Sequence, residues 1–259
     1  MKYALITGAS KGIGRAIAQE LAARGVHLVL VARDRFLLEE LTSHLSVKYN
    51  IDARFFSLDL AETDAVQQLY NWILQQQIQI HILINNAGYG LSGPFESYTA
   101  SEHKEMMRVN MTVPVELTSV LLPQLKQNQP SYILNIVSSA AYQSVPGLST
   151  YAASKAFMLS FSRGLRYEMR KKGISVTAVS PGSTDTGFAA RAKVGKKGLK
   201  AAEKVNMTPE AVAKIAVNAM YGKKAEVITG FINQLGAFLV WLLPKKLAEK
   251  TAAGIYELD

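Results

Sequence analysis

The chain has 259 residues, 49% of them apolar, and a formal net charge of +9. That length suits one α/β unit with a well-buried core, and the apolar fraction excludes a disordered or fibrous chain. With no cysteine in the sequence, disulfides, thiolate metal sites and thiol nucleophiles are excluded.

Met1 leads directly into an apolar run, without a basic region, apolar stretch and cleavage site, so the expected location is cytoplasmic. Lys2 to Thr7 reads as a short buried strand. It runs into Gly8-Ala9-Ser10-Lys11-Gly12-Ile13-Gly14 and then an amphipathic helix near 12–24 through Ile17, Leu21 and Ala22. Strand, glycine turn and helix form the context that a phosphate-cradling loop requires. Gly8 permits a tight turn, Gly12 lets the backbone approach a pyrophosphate, and Gly14 allows close packing. The helix N-terminus supplies N–H groups and a positive dipole end. The spacing departs from Gly-x-Gly-x-x-Gly, so the loop by itself also fits an ordinary βα turn.

Further strands are expected near 27–32, 53–58, 80–85, 132–138, 174–180 and 225–229, and helices near 35–48, 62–76, 101–127, 150–172 and 208–221. Such alternation, with runs too continuously apolar to be half-exposed, implies a parallel sheet covered on both faces. No repeat, linker or domain boundary interrupts it, so 1–259 reads as one domain. His27, His44, His81 and His103 lack metal-ligand spacing, and His27 and His81, at strand starts, read as structural.

The polar residues with chemical potential are Ser138, Tyr151 and Lys155, spaced Ser-x12-Tyr-x3-Lys. A phenol is an adequate acid, but its free pKa near 10 is too high for shuttling protons at neutral pH. A lysine four residues on shares its helical face and favours the phenolate. A serine brought alongside can hold a carbonyl oxygen. Tyr167 and Lys171 repeat the Tyr-x3-Lys spacing. On one helix, sixteen residues put Tyr167 roughly 160° around the axis from Tyr151. With Arg170, Lys171 and Lys172 following, that second pair reads as a solvated tail.

Thr7-Gly8-x3-Gly12-x-Gly14, Asn85-Asn86-Ala87-Gly88, Asn110, Ser138, Tyr151-x3-Lys155 and Pro181-Gly182 occur in an order and spacing that resemble the short-chain dehydrogenase/reductase family, from residue 3 to about 186. The resemblance implies an α/β, single-domain Rossmann fold with a doubly wound seven-stranded parallel sheet. It implies an NAD(P)-dependent oxidoreductase with Ser138, Tyr151, Lys155 and Asn110 as its catalytic set, Asn110 and a helix kink holding a relay water. By family position, the cofactor would meet Gly8, Ser10, Lys11, Gly12, Ile13 and Gly14 in the loop, and Asp59 and Leu60 after the third strand. Asn86, Ala87 and Gly88 would lie against its ribose beside Tyr151 and Lys155, and Pro181, Gly182, Thr184 and Thr186 against its nicotinamide. Tyr89, Leu91, Gln143, Val145, Leu148 and Phe188 would line an apolar substrate pocket.

Arg33 ends the second strand, nineteen residues beyond Gly14. An acidic residue there would bind the ribose 2′-OH of NAD, whereas an arginine suits the 2′-phosphate of NADP. Lys11 adds a second cation, so NADP(H) is expected over NAD(H). Asp34, one place late, is expected to cap the next helix. Asp59 also fits a cap.

Residues 187–207 are basic, with Arg191, Lys193, Lys196, Lys197, Lys200 and Lys204 against Glu203. The resemblance implies that this segment covers the substrate; the charges read as a solvated lid, or as an electrostatic collar for an anionic ligand or membrane surface. In the 231–259 extension, Leu235 to Leu243 is apolar on every side and has to be buried somewhere. The options, in order, are a subunit interface, a pocket wall and a monotopic membrane contact.

The expected function is NADP(H)-dependent hydride transfer to a lipophilic ketone or from a secondary alcohol (carbonyl, 3-oxoacyl or steroid-like), in a homodimer or homotetramer. The rival reading is a catalytically idle nucleotide-binding or membrane-associated Rossmann module. No nucleic-acid motif or metal site is expected.

Overall fold

The computed structural model describes residues 1–203 and 206–256. Among these, seven parallel strands form one sheet: β1 (Lys2–Thr7), β2 (His27–Ala32), β3 (Ala53–Ser57), β4 (Gln79–Asn85), β5 (Ser131–Ile136), β6 (Ile174–Ser180) and β7 (Glu226–Ile228). Their order is β3-β2-β1-β4-β5-β6-β7. The order reverses between β1 and β4. Chain crossovers leave to opposite sides there and open a crevice at the carboxyl ends of the strands.

Period-two alternation sends neighbouring strand residues to opposite faces. Ile6, Leu30 and Ile84 pack with α1 (Gly12–Ala22), α2 (Arg35–Tyr49) and α9 (Pro209–Tyr221) through Ile17, Leu41 and Met220. Leu5, Val31 and Leu83 pack on the other face with α3 (Ala65–Gln75) and α5 (Val113–Gln127) through Leu69, Ile73 and Leu121. Burying both faces is what the continuously apolar strands foretold.

The helix expected over 101–127 is two helices. α4 (Ala100–Met107) and α5 are separated by a π-helical turn, Arg108–Thr112. Buried Asn110 binds outside the helix at this turn, and Pro114 at the start of α5 has no N–H to give. The helix expected from 62 starts at Ala65. α6 (Ser149–Met169) carries both Tyr-x3-Lys tyrosines, and α7 (Phe188–Arg191), α8 (Lys196–Glu203), α10 (Phe231–Leu242) and α11 (Lys245–Ile255) follow β6 in the chain.

The histidines at strand starts do structural work. His27 Nδ1 accepts the Asp52 N–H at 2.9 Å, and His81 Nδ1 pairs with the Tyr3 carbonyl at 3.1 Å. Thr7 ties the switch point: its hydroxyl donates to the Ile84 carbonyl and accepts the N–H groups of Asn86 (3.0 Å) and Ala87 (3.1 Å).

Candidate active site

One cavity of about 1400 Å³ occupies the crevice and is large enough for a dinucleotide and a further molecule. The glycine loop forms its floor. Gly8 (φ +66°) and Gly12 (φ +54°) adopt backbone conformations that side chains disfavour. A Cβ at Gly14 would run into the Gly8 carbonyl and the Asn86 amide, whose Nδ2 donates to the Thr7 (2.9 Å) and Gly8 (3.1 Å) carbonyls. α1 starts without a side-chain cap, leaving its first N–H groups available to an acceptor. Bare backbone, uncapped helix and no room for a side chain fit a pyrophosphate.

Two cations stand at the rim. Lys11 lies 4.0 Å from Asp34, and Arg33 lies 3.5 Å from Asp59. Asp34 also caps: it accepts the Leu37 N–H at 3.2 Å, starting α2. Asp59 caps no helix; it accepts the Ala61 N–H at 3.0 Å within a turn, and Asp64 stands at the N-cap of α3. Ion pairs this exposed contribute about 0–1 kcal/mol, so either cation can exchange its partner for a phosphate.

Tyr151 and Lys155 are buried one turn apart on α6, with Lys155 Nζ 5.8 Å from the centre of the Tyr151 ring. Lys155 donates to the Ile136 carbonyl at 3.1 Å. Burial dominates both groups. It pushes the Tyr151 phenol up to about 12 and the Lys155 ammonium down to about 8. The expectation that Lys155 counters the rise in Tyr151 is not met here. The opposing group is the Ser138 hydroxyl, and Tyr256 at the end of α11 adds to the rise. Ser138 Oγ accepts the Ala140 N–H at 3.1 Å, which leaves its own hydrogen free to donate.

Asn110 stands behind the cavity wall. Its Oδ1 accepts the Tyr89 N–H at 3.1 Å, and its Nδ2 donates to the Tyr89 carbonyl and to Ser154 Oγ, both at 3.0 Å. The expected kink is present, but the side chain braces the Tyr89 turn rather than offering itself to a relay. Gly88 separates Asn110 from Lys155: a Cβ there would lie 3.0 Å from Asn110 Oδ1 and 3.3 Å from Lys155 Nζ.

The remaining expected cofactor residues, Ser10, Ile13, Leu60, Asn86, Ala87, Pro181, Gly182, Thr184 and Thr186, all line the cavity. So do Tyr89, Gln143, Val145, Leu148 and Phe188. Leu91 does not; it packs behind the wall against the apolar cluster that includes Tyr89 and Val145. Phe188 lies 5.1 Å from the Tyr151 ring, over Gly90, where a Cβ would meet it at 2.9 Å. Tyr167 is 66% exposed with Arg170 stacked on it at 3.9 Å, as a solvated tail requires.

Several contributors went unanticipated. Arg191, read as one of many lid cations, stacks over the Tyr89 ring at 4.0 Å, while the Tyr89 hydroxyl donates to Glu105 at 2.7 Å. Contacts so distant in sequence leave no spacing signal. Within the basic segment, Gly187, Phe188, Ala189, Arg191, Val194 and Gly198 line the cavity; Lys204 lies outside the described residues. The run from Leu235 to Leu243 is not buried all round. Its inner face, with Gly236, Ala237 and Val240, lines the cavity, and its outer face is exposed.

The sequence model of the family described as short chain dehydrogenase matches residues 2–197, and the chain belongs to that family. It is 33% identical over 185 residues to very-long-chain 3-oxoacyl-CoA reductase-B of Danio rerio, covering 70% of this chain and 58% of that protein. It is 34% identical over 182 residues to hydroxysteroid dehydrogenase-like protein 1 of Gallus gallus, covering 70% and 55%. The chain thus spans little more than half the length of these curated relatives. A short-chain dehydrogenase from Sphingobium yanoikuyae, solved in complex with NADPH, superposes with a TM-score of 0.82 at 32% identity over 89% of both chains.

Proposed function

We propose that the chain is an NADP(H)-dependent carbonyl reductase and alcohol dehydrogenase acting on lipophilic ketones or the matching secondary alcohols. The observation that carries this reading is the convergence of Ser138, Tyr151 and Lys155 on the same cavity as the glycine cradle and its two rim cations. When bound, NADP(H) would exchange a hydride with the substrate carbonyl carbon.

The remaining chemistry falls to the chain. Tyr151, its phenol kept protonated by burial at neutral pH, gives its proton to the carbonyl oxygen during reduction. Ser138 holds that oxygen with its free O–H. Lys155 uses one of its three N–H donors on Ile136; the others are available to a cofactor ribose. Asn110 is a positioning residue that fixes the Tyr89 turn. Arg33 and Lys11 receive the 2′-phosphate, which favours NADP over NAD.

Apolar Val145, Leu148 and Phe188 support a lipophilic substrate. The Danio relative is named for a 3-oxoacyl-CoA and the Gallus relative as hydroxysteroid dehydrogenase-like; these names support 3-oxoacyl and steroid-like ketones as the first candidates. The part of the basic segment from Gly187 to Gly198, which lines the cavity, acts as the lid over this pocket.

The test compares two tyrosines. Tyr151→Phe is expected to lower ketone turnover about 10²–10⁴-fold, the usual worth of a general acid, with NADPH affinity nearly unchanged. Tyr167→Phe should leave turnover intact. Equal losses from the two would refute the assignment.

A further inference from the structure

No side chain of α10 is buried. Its twelve residues, Phe-Ile-Asn-Gln-Leu-Gly-Ala-Phe-Leu-Val-Trp-Leu, include no charge. At about 100° per residue they form two faces. Asn233, Gly236, Ala237 and Val240 share the one that lines the cavity. Phe231, Leu235, Phe238 and Leu242 share the opposite one, with Trp241 at its margin, and all five are exposed, Phe231 at 76% and Trp241 at 79%. A contiguous stripe of large apolar side chains in water marks an interaction site.

The charges around the stripe indicate what covers it. Immediately beyond α10, Lys245, Lys246 and Lys250 of α11 are exposed. α8, whose Gly198 lies beside Val194 and near the Ile255 carbonyl of α11, adds exposed Lys197 and Lys200 beside exposed Leu199. Pairing this face with a second copy about a twofold axis would bring lysine flanks together, and the stripe holds no carboxylate to receive them. An anionic bilayer surface complements both parts: apolar side chains enter the acyl boundary and lysines meet headgroups. Trp241, in the last turn of α10, precedes Lys245 by four residues, and tryptophan is enriched at membrane interfaces. Among the described residues no helix is long and apolar enough to cross a membrane, so the contact is monotopic.

We infer that α10 seats the chain on an anionic lipid surface, its outer face in the bilayer boundary and its inner face forming the wall of the active-site cavity. The docking rests on α10, α8 and α11 alone. Its consequence, that a lipophilic ketone enters from the lipid phase, rests on the proposed function.

The experiment is flotation of the full chain with vesicles of phosphatidylcholine alone or mixed with phosphatidylglycerol, at low and high salt. The expected result is co-flotation with the anionic vesicles, weaker with the neutral ones and weakened by salt. Phe238→Asp with Trp241→Asp should reduce co-flotation at least tenfold, and circular dichroism checks that the variant is folded. Lys245→Glu with Lys246→Glu, which leaves the apolar stripe intact, should remove the dependence on anionic lipid. Absence of the parent from the floated fraction in all conditions would overturn the inference. So would co-flotation unchanged in both variants, or a parent dimer that the aspartate pair dissociates without any lipid binding. None of these readouts depends on turnover, so the docking can fail while the proposed reaction stands, and the reverse.

Discussion

The glycine loop between β1 and α1 and the helix α10 both line one cavity, yet they are built differently. β1 buries five of its six residues and α1 six of eleven, whereas α10 buries none of its twelve. The glycine loop is therefore an extension of the core. Its spacing is set by backbone against backbone, as at Gly14 over the Gly8 carbonyl. α10 rests on the sheet through few polar contacts, among them Asn233, which donates to the Thr229 carbonyl at 2.8 Å and lies against Gly182. A fixed floor suits a cofactor that never changes. A lightly held wall suits a substrate that must enter and leave.

The largest expected effect breaks the link between the core and its chemistry. Lys155→Met should abolish measurable turnover yet raise unfolding free energy at pH 7 by on the order of 1–3 kcal/mol, because a buried ammonium is replaced by an apolar side chain. The sign follows from its pKa, held at about 8 against an ordinary 10.5. The folded chain binds this proton less tightly than the unfolded chain. The destabilisation is complete below about pH 8 and fades as pH rises towards the unfolded value. Denaturant titrations at neutral and alkaline pH should thus show the stability gap between parent and variant narrowing. A variant less stable than the parent at pH 7 would contradict this account of Lys155.

Next comes the rim. Arg33→Ala should cost roughly 1.5–3 kcal/mol of NADPH binding, tenfold to over a hundredfold in affinity. Arg33→Asp should cost more and relatively favour NADH. Titrations in which the unmodified chain prefers NADH would reverse the cofactor assignment.

Gly14→Ala and Asn233→Ala sharpen the contrast between the two sides. The first pushes a methyl group into backbone that cannot yield, and should destabilise the fold by about 1–3 kcal/mol in thermal or chemical melts. The second loosens only α10. It should raise KM for bulky ketones a few-fold and leave NADPH affinity within about twofold, an effect on the order of 1 kcal/mol. Equal damage to NADPH binding by both would mean that the two sides are not mechanically distinct.

Much of the floor was legible in the sequence because its signals are local. Gly8, Gly12 and Gly14 announce backbone approach within a single turn, and Tyr151 and Lys155 share a helix face by spacing alone. The less legible features depend on partners distant in the chain. The embrace of the Tyr89 backbone by Asn110, the stacking of Arg191 on that ring and the withdrawal of Leu91 behind the wall follow from how loops meet. From Leu235 to Leu243 the pattern is apolar on every side, so periodicity could not say which face is covered. Only the position of the cavity divides α10 into an inner and an outer half.

The most direct measurement of the central claim is NADPH oxidation by the unmodified chain across a panel of lipophilic ketones and diketones, with the alcohol product quantified. Turnover of at least one such ketone is expected, with one alcohol formed per NADPH consumed. Tight NADPH binding with no turnover across a broad panel would contradict it and point instead to a nucleotide-binding module without catalysis.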